Sequence, residues 1–70
     1  MRNNIRRLRK ERGCTQEEMA VQLGVTRQTI IAIENDKYNP TLELAMKIAR
    51  LLGKPVEQIF FLDWHMDRLG

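Results

Sequence analysis

The sequence predicts an all-α domain of five short helices, extended at its C-terminus by a short strand. Three observations carry this prediction. Apolar residues recur every three or four positions along most of the chain. Residues that cap helix N-termini precede these stretches, and glycines follow several of them. The length of 70 residues fits one domain, 1–70, with no linker and no second domain.

The first two helices are predicted at 4–12 and 16–23. Gly13 is placed to end the first of them, because glycine readily takes the conformation that closes a helix. Thr15 and Glu18 have the spacing of a capping box, in which each side chain bonds the backbone N–H of the other residue. The second helix therefore begins at a strong start signal.

Three further helices are expected after these two. Thr26 is placed to cap the third helix, whose apolar spacing breaks at Asn35. Thr41 opens the fourth and longest helix, which Gly53 closes. Pro55 suits the first turn of a fifth helix, because the N–H that proline lacks would have no partner there.

Apolar and polar residues alternate after the fifth helix, from Leu62 onward. This two-residue period is typical of a half-buried strand. The apolar surface that it adds exceeds what so small a core needs, so we expect a second copy of the chain to cover it. We predict that the tail, 61–70, pairs with its two-fold mate; the alternative is a tail folded back on its own domain. The predicted dimer interface consists of Phe61, Leu62, Trp64 and Met66.

Composition argues against several classes of protein. Cys14 is the single cysteine, so no internal disulfide is possible, and with His65 it falls short of a zinc site. No apolar run approaches the length of a membrane span, and no apolar segment follows the basic start as in a signal peptide. No nucleophile, base and orienting group occur together as an enzyme needs. We therefore expect a cytoplasmic protein that is not an enzyme and has no cofactor, metal or membrane partner.

Positive charge is concentrated at the start of the chain. The net charge is +3, and 12 residues are Lys or Arg. Six of them lie within residues 1–12, where Glu11 is the single acidic residue. Such a block is typical of a surface that binds phosphate groups, although a solvated helix face is the commoner explanation.

The segment 15–35 contains two capped helices joined by Leu23, Gly24 and Val25. So short a turn makes the helices cross steeply instead of lying antiparallel, because glycine supplies a positive φ. This arrangement is helix-turn-helix geometry, in which the second helix lies in the major groove of DNA.

The outward face of that second helix carries groups that can bind base edges. Arg27 and Gln28 lie opposite the apolar Ile30 and Ile33 when residues are placed about 100° apart. Arginine pairs bidentately with guanine and glutamine with adenine, while small apolar groups contact thymine methyl groups. The alternative is that Arg27 and Gln28 are ordinary polar surface residues and that Ile31 is a core residue. The predicted base contacts are Arg27, Gln28, Ile31 and Ala32.

Three runs of this sequence resemble a known family: Thr15–Ala20 (TQEEMA), Leu23–Ile30 (LGVTRQTI) and Ile33–Leu42 (IENDKYNPTL). Together they resemble the Cro and phage-repressor type helix-turn-helix family, also called the xenobiotic-response-element family. The resemblance covers roughly residues 3–62 and is strongest to small single-domain bacterial repressors of the cytolysin-regulator kind. It implies a compact five-helix, lambda-repressor-like domain that binds double-stranded DNA as a homodimer at an inverted-repeat operator and acts as a repressor.

The resemblance also implies roles for individual residues. Phosphate contacts would come from Gln16, Thr26, Asn35, Lys37 and Tyr38. Arg9 of the first helix would form a structural ion pair with Glu34. The chain departs from the family at Ala32, where a long polar side chain is common, and at Asp36, where glycine is common.

We expect no small-molecule effector domain in a chain of this length. The main alternative function is an interaction module of the antitoxin or anti-repressor type, which would keep this fold and act by binding another protein. Sequence-specific DNA binding by the outward face of the third helix discriminates between the two functions.

Overall fold

The computed structural model describes residues 1–62 of the chain. Within this range four α-helices occur: α1 (Ile5–Glu11), α2 (Gln16–Leu23), α3 (Arg27–Glu34) and α4 (Leu42–Leu52). One 3₁₀ turn (Val56–Gln58) follows them, and two short strands, β1 (Arg2–Asn3) and β2 (Phe60–Phe61), lie at the two ends. Trp64 and Met66, predicted for the dimer interface, lie outside the described residues.

The prediction of a fifth α-helix is wrong, because Pro55 starts only the single 3₁₀ turn Val56–Gln58. The carbonyl of Ile59 accepts the N–H of Asn4 at 2.8 Å. This carbonyl therefore bonds a residue at the other end of the described chain and not a later residue of a continuing helix. The next residues are then extended in β2. Burial of Ile59 and Phe60 from the turn and the strand accounts for the apolar spacing that indicated a helix.

The strands β1 and β2 form a two-stranded antiparallel sheet that joins the start of the described chain to its end. Arg2 lies opposite Phe61, and Asn3 lies opposite Phe60. The strand β2 thus begins at Phe60, before the alternation from Leu62 that predicted a strand. Its partner strand, β1, belongs to the same chain. Alternation along one segment cannot reveal a partner strand that is distant in sequence. Pairing of the later tail with a two-fold mate stays a prediction.

The core lies among the four helices and the 3₁₀ turn, and each α-helix contributes at least one fully buried side chain. The largest fully buried side chains are those of Ile5, Met19, Ile30, Ile33, Ile48 and, after the 3₁₀ turn, Ile59. Cys14 is half-buried against this core and behaves as a small apolar residue. In residues 1–62 no helix has the length and apolar character needed to cross a membrane.

Both ends of α2 are fixed by local bonds, which set its crossing with α3. Thr15 Oγ1 accepts the N–H of Glu18 at 3.0 Å, and Glu18 Oε1 accepts the N–H of Thr15 at 2.8 Å. At the other end Gly24 has a φ of +72°. The chain reverses there, and the N–H of Val25 donates to the Ala20 carbonyl at 3.0 Å. The capping box and the glycine turn therefore orient α3.

Candidate nucleic-acid interface

The helix α3 turns an apolar side to the core and a mixed side outward. Thr26 caps it, with Oγ1 accepting the N–H of Thr29 at 3.3 Å. Ile30 and Ile33 are buried beneath it. Of the predicted base contacts, Arg27 and Gln28 are exposed, whereas Ile31 and Ala32 are half-buried. The two long polar side chains are thus the accessible ones on this face.

Arg27, the first residue of α3, is held in place by Gln16, the first residue of α2. Its Nε and Nη2 both donate to Gln16 Oε1, each at 3.3 Å. A guanidinium has five N–H donors, so this contact uses only part of its capacity. Arg27 is therefore both anchored and able to bind a further acceptor.

The carboxylate of Glu34, the last residue of α3, is fully buried, with 0% of its side chain exposed. Arg9 donates from Nε to Oε2 at 2.7 Å and from Nη2 to Oε1 at 3.4 Å. Arg9 is itself buried, and its Nη1 donates to the Cys14 carbonyl at 2.9 Å. The ion pair expected between Arg9 and Glu34 is present, and it joins α1 to the end of α3.

Burial by itself raises the pKa of Glu34, because a buried carboxylate loses its hydration. The hydrogen bonds from Arg9 and Gln16, together with the positive charge of Arg9 and a hydrogen bond from Arg6, outweigh burial. They hold the pKa of Glu34 below its ordinary value of 4.5. Glu34 is therefore ionised at neutral pH.

The side-chain amide of Gln16 joins these two contacts. Its Nε2 donates to Glu34 Oε1 at 3.1 Å, while its Oε1 accepts from Arg27. A carboxylate can only accept and a guanidinium can only donate, so this amide orientation is the one that satisfies both. Arg9, Glu34, Gln16 and Arg27 thus form a polar chain that runs from α1 to both ends of α3.

The turn after α3 contains the single non-glycine residue with positive φ in the described part of the chain, Asp36, at +60°. Its N–H donates to the Ile33 carbonyl at 3.1 Å, and the N–H of Lys37 donates to the Ala32 carbonyl at 2.8 Å. The amide of Asn3 donates to Asp36 Oδ1 at 3.1 Å and to the Ile33 carbonyl at 2.8 Å. Asp36 therefore takes the left-handed conformation that glycine usually supplies at this position.

The predicted phosphate contacts flank both ends of α3. Asn35, Lys37 and Tyr38 are exposed at or just after its C-terminus. Thr26 lies at its N-terminus, where its hydroxyl caps the helix and lies 3.1 Å from the Thr29 hydroxyl. Gln16 lies beside that N-terminus through its contact with Arg27, so its side chain already has partners within the protein.

Arg6 and Asn3 also belong to this region, although the sequence pattern assigned neither of them to it. Arg6 Nη2 donates to Asn35 Oδ1 at 2.8 Å, and Arg6 Nε lies 3.5 Å from Glu34 Oε1. Arg6 and Arg9 are three residues apart and so share a face of α1. That spacing could have indicated Arg6 once Arg9 was paired with Glu34. No local pattern indicates Asn3, which acts across the fold.

The predicted dimer residues that the structure describes lie elsewhere. Phe61 is half-buried in β2, and Leu62 is 69% exposed. Leu62 lines an apolar groove of about 320 Å³ together with Met1, Leu42 and Val56. This groove shares no lining residue with the outward face of α3.

Comparison with known proteins agrees with this geometry. A family model described as helix-turn-helix matches residues 5–59. The chain is 59% identical over 64 residues to an uncharacterized HTH-type transcriptional regulator of Methanothermobacter thermautotrophicus, covering 90% of this chain and 93% of that protein. It is 39% identical over 57 residues to the cryptic phage CTXphi transcriptional repressor RstR of Vibrio cholerae, covering 81% of this chain and 51% of that protein.

A solved structure shares the fold. The hypothetical transcription factor NHTF from Neisseria matches with a TM-score of 0.71 and 36% sequence identity. The match covers 79% of this chain and 63% of that one. This chain therefore belongs to the Cro and phage-repressor type helix-turn-helix family of transcriptional regulators.

Proposed function

We propose that this chain is a sequence-specific transcriptional repressor whose homodimer binds an inverted-repeat operator, with α3 of each copy in the major groove. The exposed pair Arg27 and Gln28, opposite the buried Ile30 and Ile33, carries this proposal. The similarity to a phage repressor supports repression as the direction of control.

Arg27 and Gln28 supply direct base readout in this proposal. The fork of Arg27 pairs with the two acceptors of guanine, and the amide of Gln28 pairs with adenine. Each good bidentate pair discriminates against a wrong base by about 1–3 kcal/mol. Ile31 and Ala32, half-buried at the edge of this face, contribute apolar contact to thymine methyl groups.

Phosphate contacts at both ends of α3 fix its register in the groove. Asn35, Lys37 and Tyr38 hold the backbone beside the C-terminus of α3, and Thr26 lies beside the N-terminus. Gln16 adds its backbone N–H, because the first N–H groups of a helix have no partner within it. These contacts position the protein and carry no sequence information.

A homodimer doubles the contacts of one small domain. Two recognition helices about 34 Å apart bind two half-sites separated by one turn of DNA. The exposed Leu62 and its apolar groove support a dimer surface at this end of the domain. The proposed interface residues are Phe61, Leu62, Trp64 and Met66.

Selection of binding sites from random duplex DNA tests the proposal. The purified chain is mixed with the duplex pool at physiological salt, and the bound fraction is sequenced. We expect enrichment of an inverted repeat whose half-site centres lie about one helical turn apart. Salt-sensitive binding without an enriched motif would contradict base readout and favour an interaction module that acts on another protein.

A further inference from the structure

The α1 side of the interface carries basic residues that the proposed base and phosphate contacts do not use. A surface groove of about 660 Å³ runs along this side. Its charged lining residues are Arg6, Arg7, Lys10, Glu11 and Glu34.

Both carboxylates of this groove already have a cationic partner. Glu11 Oε2 accepts from Arg7 Nη1 at 3.2 Å, and the buried Glu34 is paired with Arg9. Arg6 reaches Glu34 only at 3.5 Å, and 54% of its side chain is exposed. Arg6 therefore bonds Glu34 through Nε and Asn35 through Nη2, while its exposed Nη1 group is accessible to an external anion.

The hydrogen bond between Arg6 and Asn35 fixes the orientation of the N–H donors of both side chains. Asn35 Oδ1 accepts from Arg6 Nη2 at 2.8 Å, so the amide nitrogen of Asn35 points away from the guanidinium. Both N–H groups of that nitrogen, and the Nη1 group of Arg6, remain for other acceptors. Charged and neutral donors side by side suit an anion with several oxygens, such as a phosphodiester.

We infer that Arg6 and Asn35 together form a phosphodiester-binding site that extends the DNA footprint of each domain from α3 onto α1. The inference rests on the proposed function, because its ligand is the backbone of the DNA that α3 reads. Asn35 directly follows the last residue of α3, so the strand flanking the occupied groove passes beside this pair. Arg6 thus strengthens binding without selecting sequence.

A matched pair of variants tests this inference. Arg6→Gln and Arg7→Gln each remove one positive charge from adjacent, exposed positions of α1, but Arg7 bonds Glu11 and not Asn35. The affinity of each variant for a selected operator duplex and for an unrelated duplex is measured from low to moderate salt. Thermal unfolding of each variant confirms that it is folded.

We expect Arg6→Gln to lower affinity about tenfold for both duplexes at low salt. It should reduce the slope of log affinity against log salt by about 2 per dimer, one lost phosphate contact in each copy. Arg7→Gln should change the slope by less than half as much. Equal slope changes in the two variants would overturn the inference.

Arg6→Lys carries the test independently, including the case in which Arg6→Gln does not fold. This variant keeps every charge but removes the guanidinium fork that bonds Asn35 Oδ1 and still presents further donors. We expect weaker binding to both duplexes, and unchanged binding would overturn the inference. Absence of specific DNA binding by the unmodified chain would instead contradict the proposed function, so the two failures are distinguishable.

Discussion

Glu34 is a charged residue whose side chain is buried in the folded chain. Its carboxylate is fully buried, and it accepts hydrogen bonds from Arg9, Gln16 and Arg6. The same side chain therefore stabilises the junction of three helices and fixes the amide that holds Arg27. We expect its loss to affect both folding and DNA binding.

Glu34→Gln should lower the free energy of unfolding at neutral pH by about 1–3 kcal/mol, because Arg9 then keeps only a neutral acceptor. The pKa of Glu34 is lowered in the folded chain, so the unfolded chain binds more protons as pH falls below about 4.5. The contribution of Glu34 to stability is thus fully present well above that pH and is lost progressively as the pH falls through the lowered pKa of the folded chain. Denaturant unfolding between pH 7 and 3 measures this loss.

Glu18 also has a lowered pKa, caused first by its backbone hydrogen bond with Thr15, so Glu34 is not the only carboxylate that acid affects. Comparison of Glu34→Gln with the unmodified chain isolates the effect of Glu34. The acid-induced loss of stability should be smaller in Glu34→Gln than in the unmodified chain. If this variant matches the unmodified chain in both stability and operator affinity, the structural role of the Arg9–Glu34 pair is wrong.

Gln16→Ala should weaken the preference for the base pair that Arg27 is proposed to read, because the guanidinium loses its anchor and becomes less ordered. We expect a partial loss of discrimination at that base pair and little change elsewhere in the half-site. Gln22→Ala is the matched control, an exposed glutamine later on the same helix. Competition binding with operator variants measures the effect, and identical behaviour of both variants would exclude the anchoring role.

At the scale of elements, the sequence predicted the helices well because their start and stop signals are local. Thr15, Thr26 and Thr41 each cap a helix through a side-chain bond, as their spacing indicated. The prediction of a fifth helix was wrong because the carbonyl of Ile59 accepts a hydrogen bond from Asn4, which is distant in sequence. The pairing of β2 with Arg2–Asn3 could not be predicted, since its partner lies at the other end of the described chain.

The candidate site, like the fold, could be predicted from the sequence only where its features lie within one helix or follow from the family resemblance. The outward face of α3 follows from helical periodicity, and the Arg9–Glu34 pair followed from the family resemblance. The contacts of Arg6 with Asn35 and of Gln16 with Arg27 join different helices, so their geometry depends on how the helices cross. Sequence spacing within one helix carries no such information.

Gly24→Ala tests the turn that sets the crossing of α2 and α3. A Cβ at this position would meet no atom within 4 Å, so its cost comes from the φ of +72° and not from a clash. We expect the free energy of unfolding to fall by about 1–2 kcal/mol. Gly24→Asn should cost less, because asparagine tolerates this conformation better. Equal stability of the glycine and alanine forms in denaturant unfolding would contradict this account of the turn.

In the whole molecule, the proposed DNA contacts lie apart from the proposed dimer surface. The polar chain reaches both ends of α3, and the groove along α1 includes Glu34 of α3, whereas Leu62 lies in the apolar groove with Met1 and Leu42. In the proposed function, this separation would let one small domain bind DNA and a second copy at the same time. Each surface can therefore be changed without direct damage to the other.

Leu62→Ser should weaken self-association and lower operator affinity, while leaving nonspecific binding by a single domain largely intact. Val21→Ser is the matched control, because Val21 is similarly exposed, at 72% against 69% for Leu62, and lies on α2 away from that groove. Sedimentation at micromolar concentration measures the oligomeric state. A dimer equally stable in both variants would place the interface elsewhere.

The proposed function depends above all on base reading by Arg27, which replacement of operator bases can test. Each guanine of the selected half-site is replaced in turn, and the affinities of the unmodified chain and of Arg27→Ala are measured on the original and on each replaced duplex. We predict that, at one guanine, the unmodified chain loses tenfold or more in affinity, which is about 1.4 kcal/mol or more, with almost no further loss for Arg27→Ala. Equal losses for both proteins at every guanine of the half-site would contradict the claim that α3 reads the operator through Arg27.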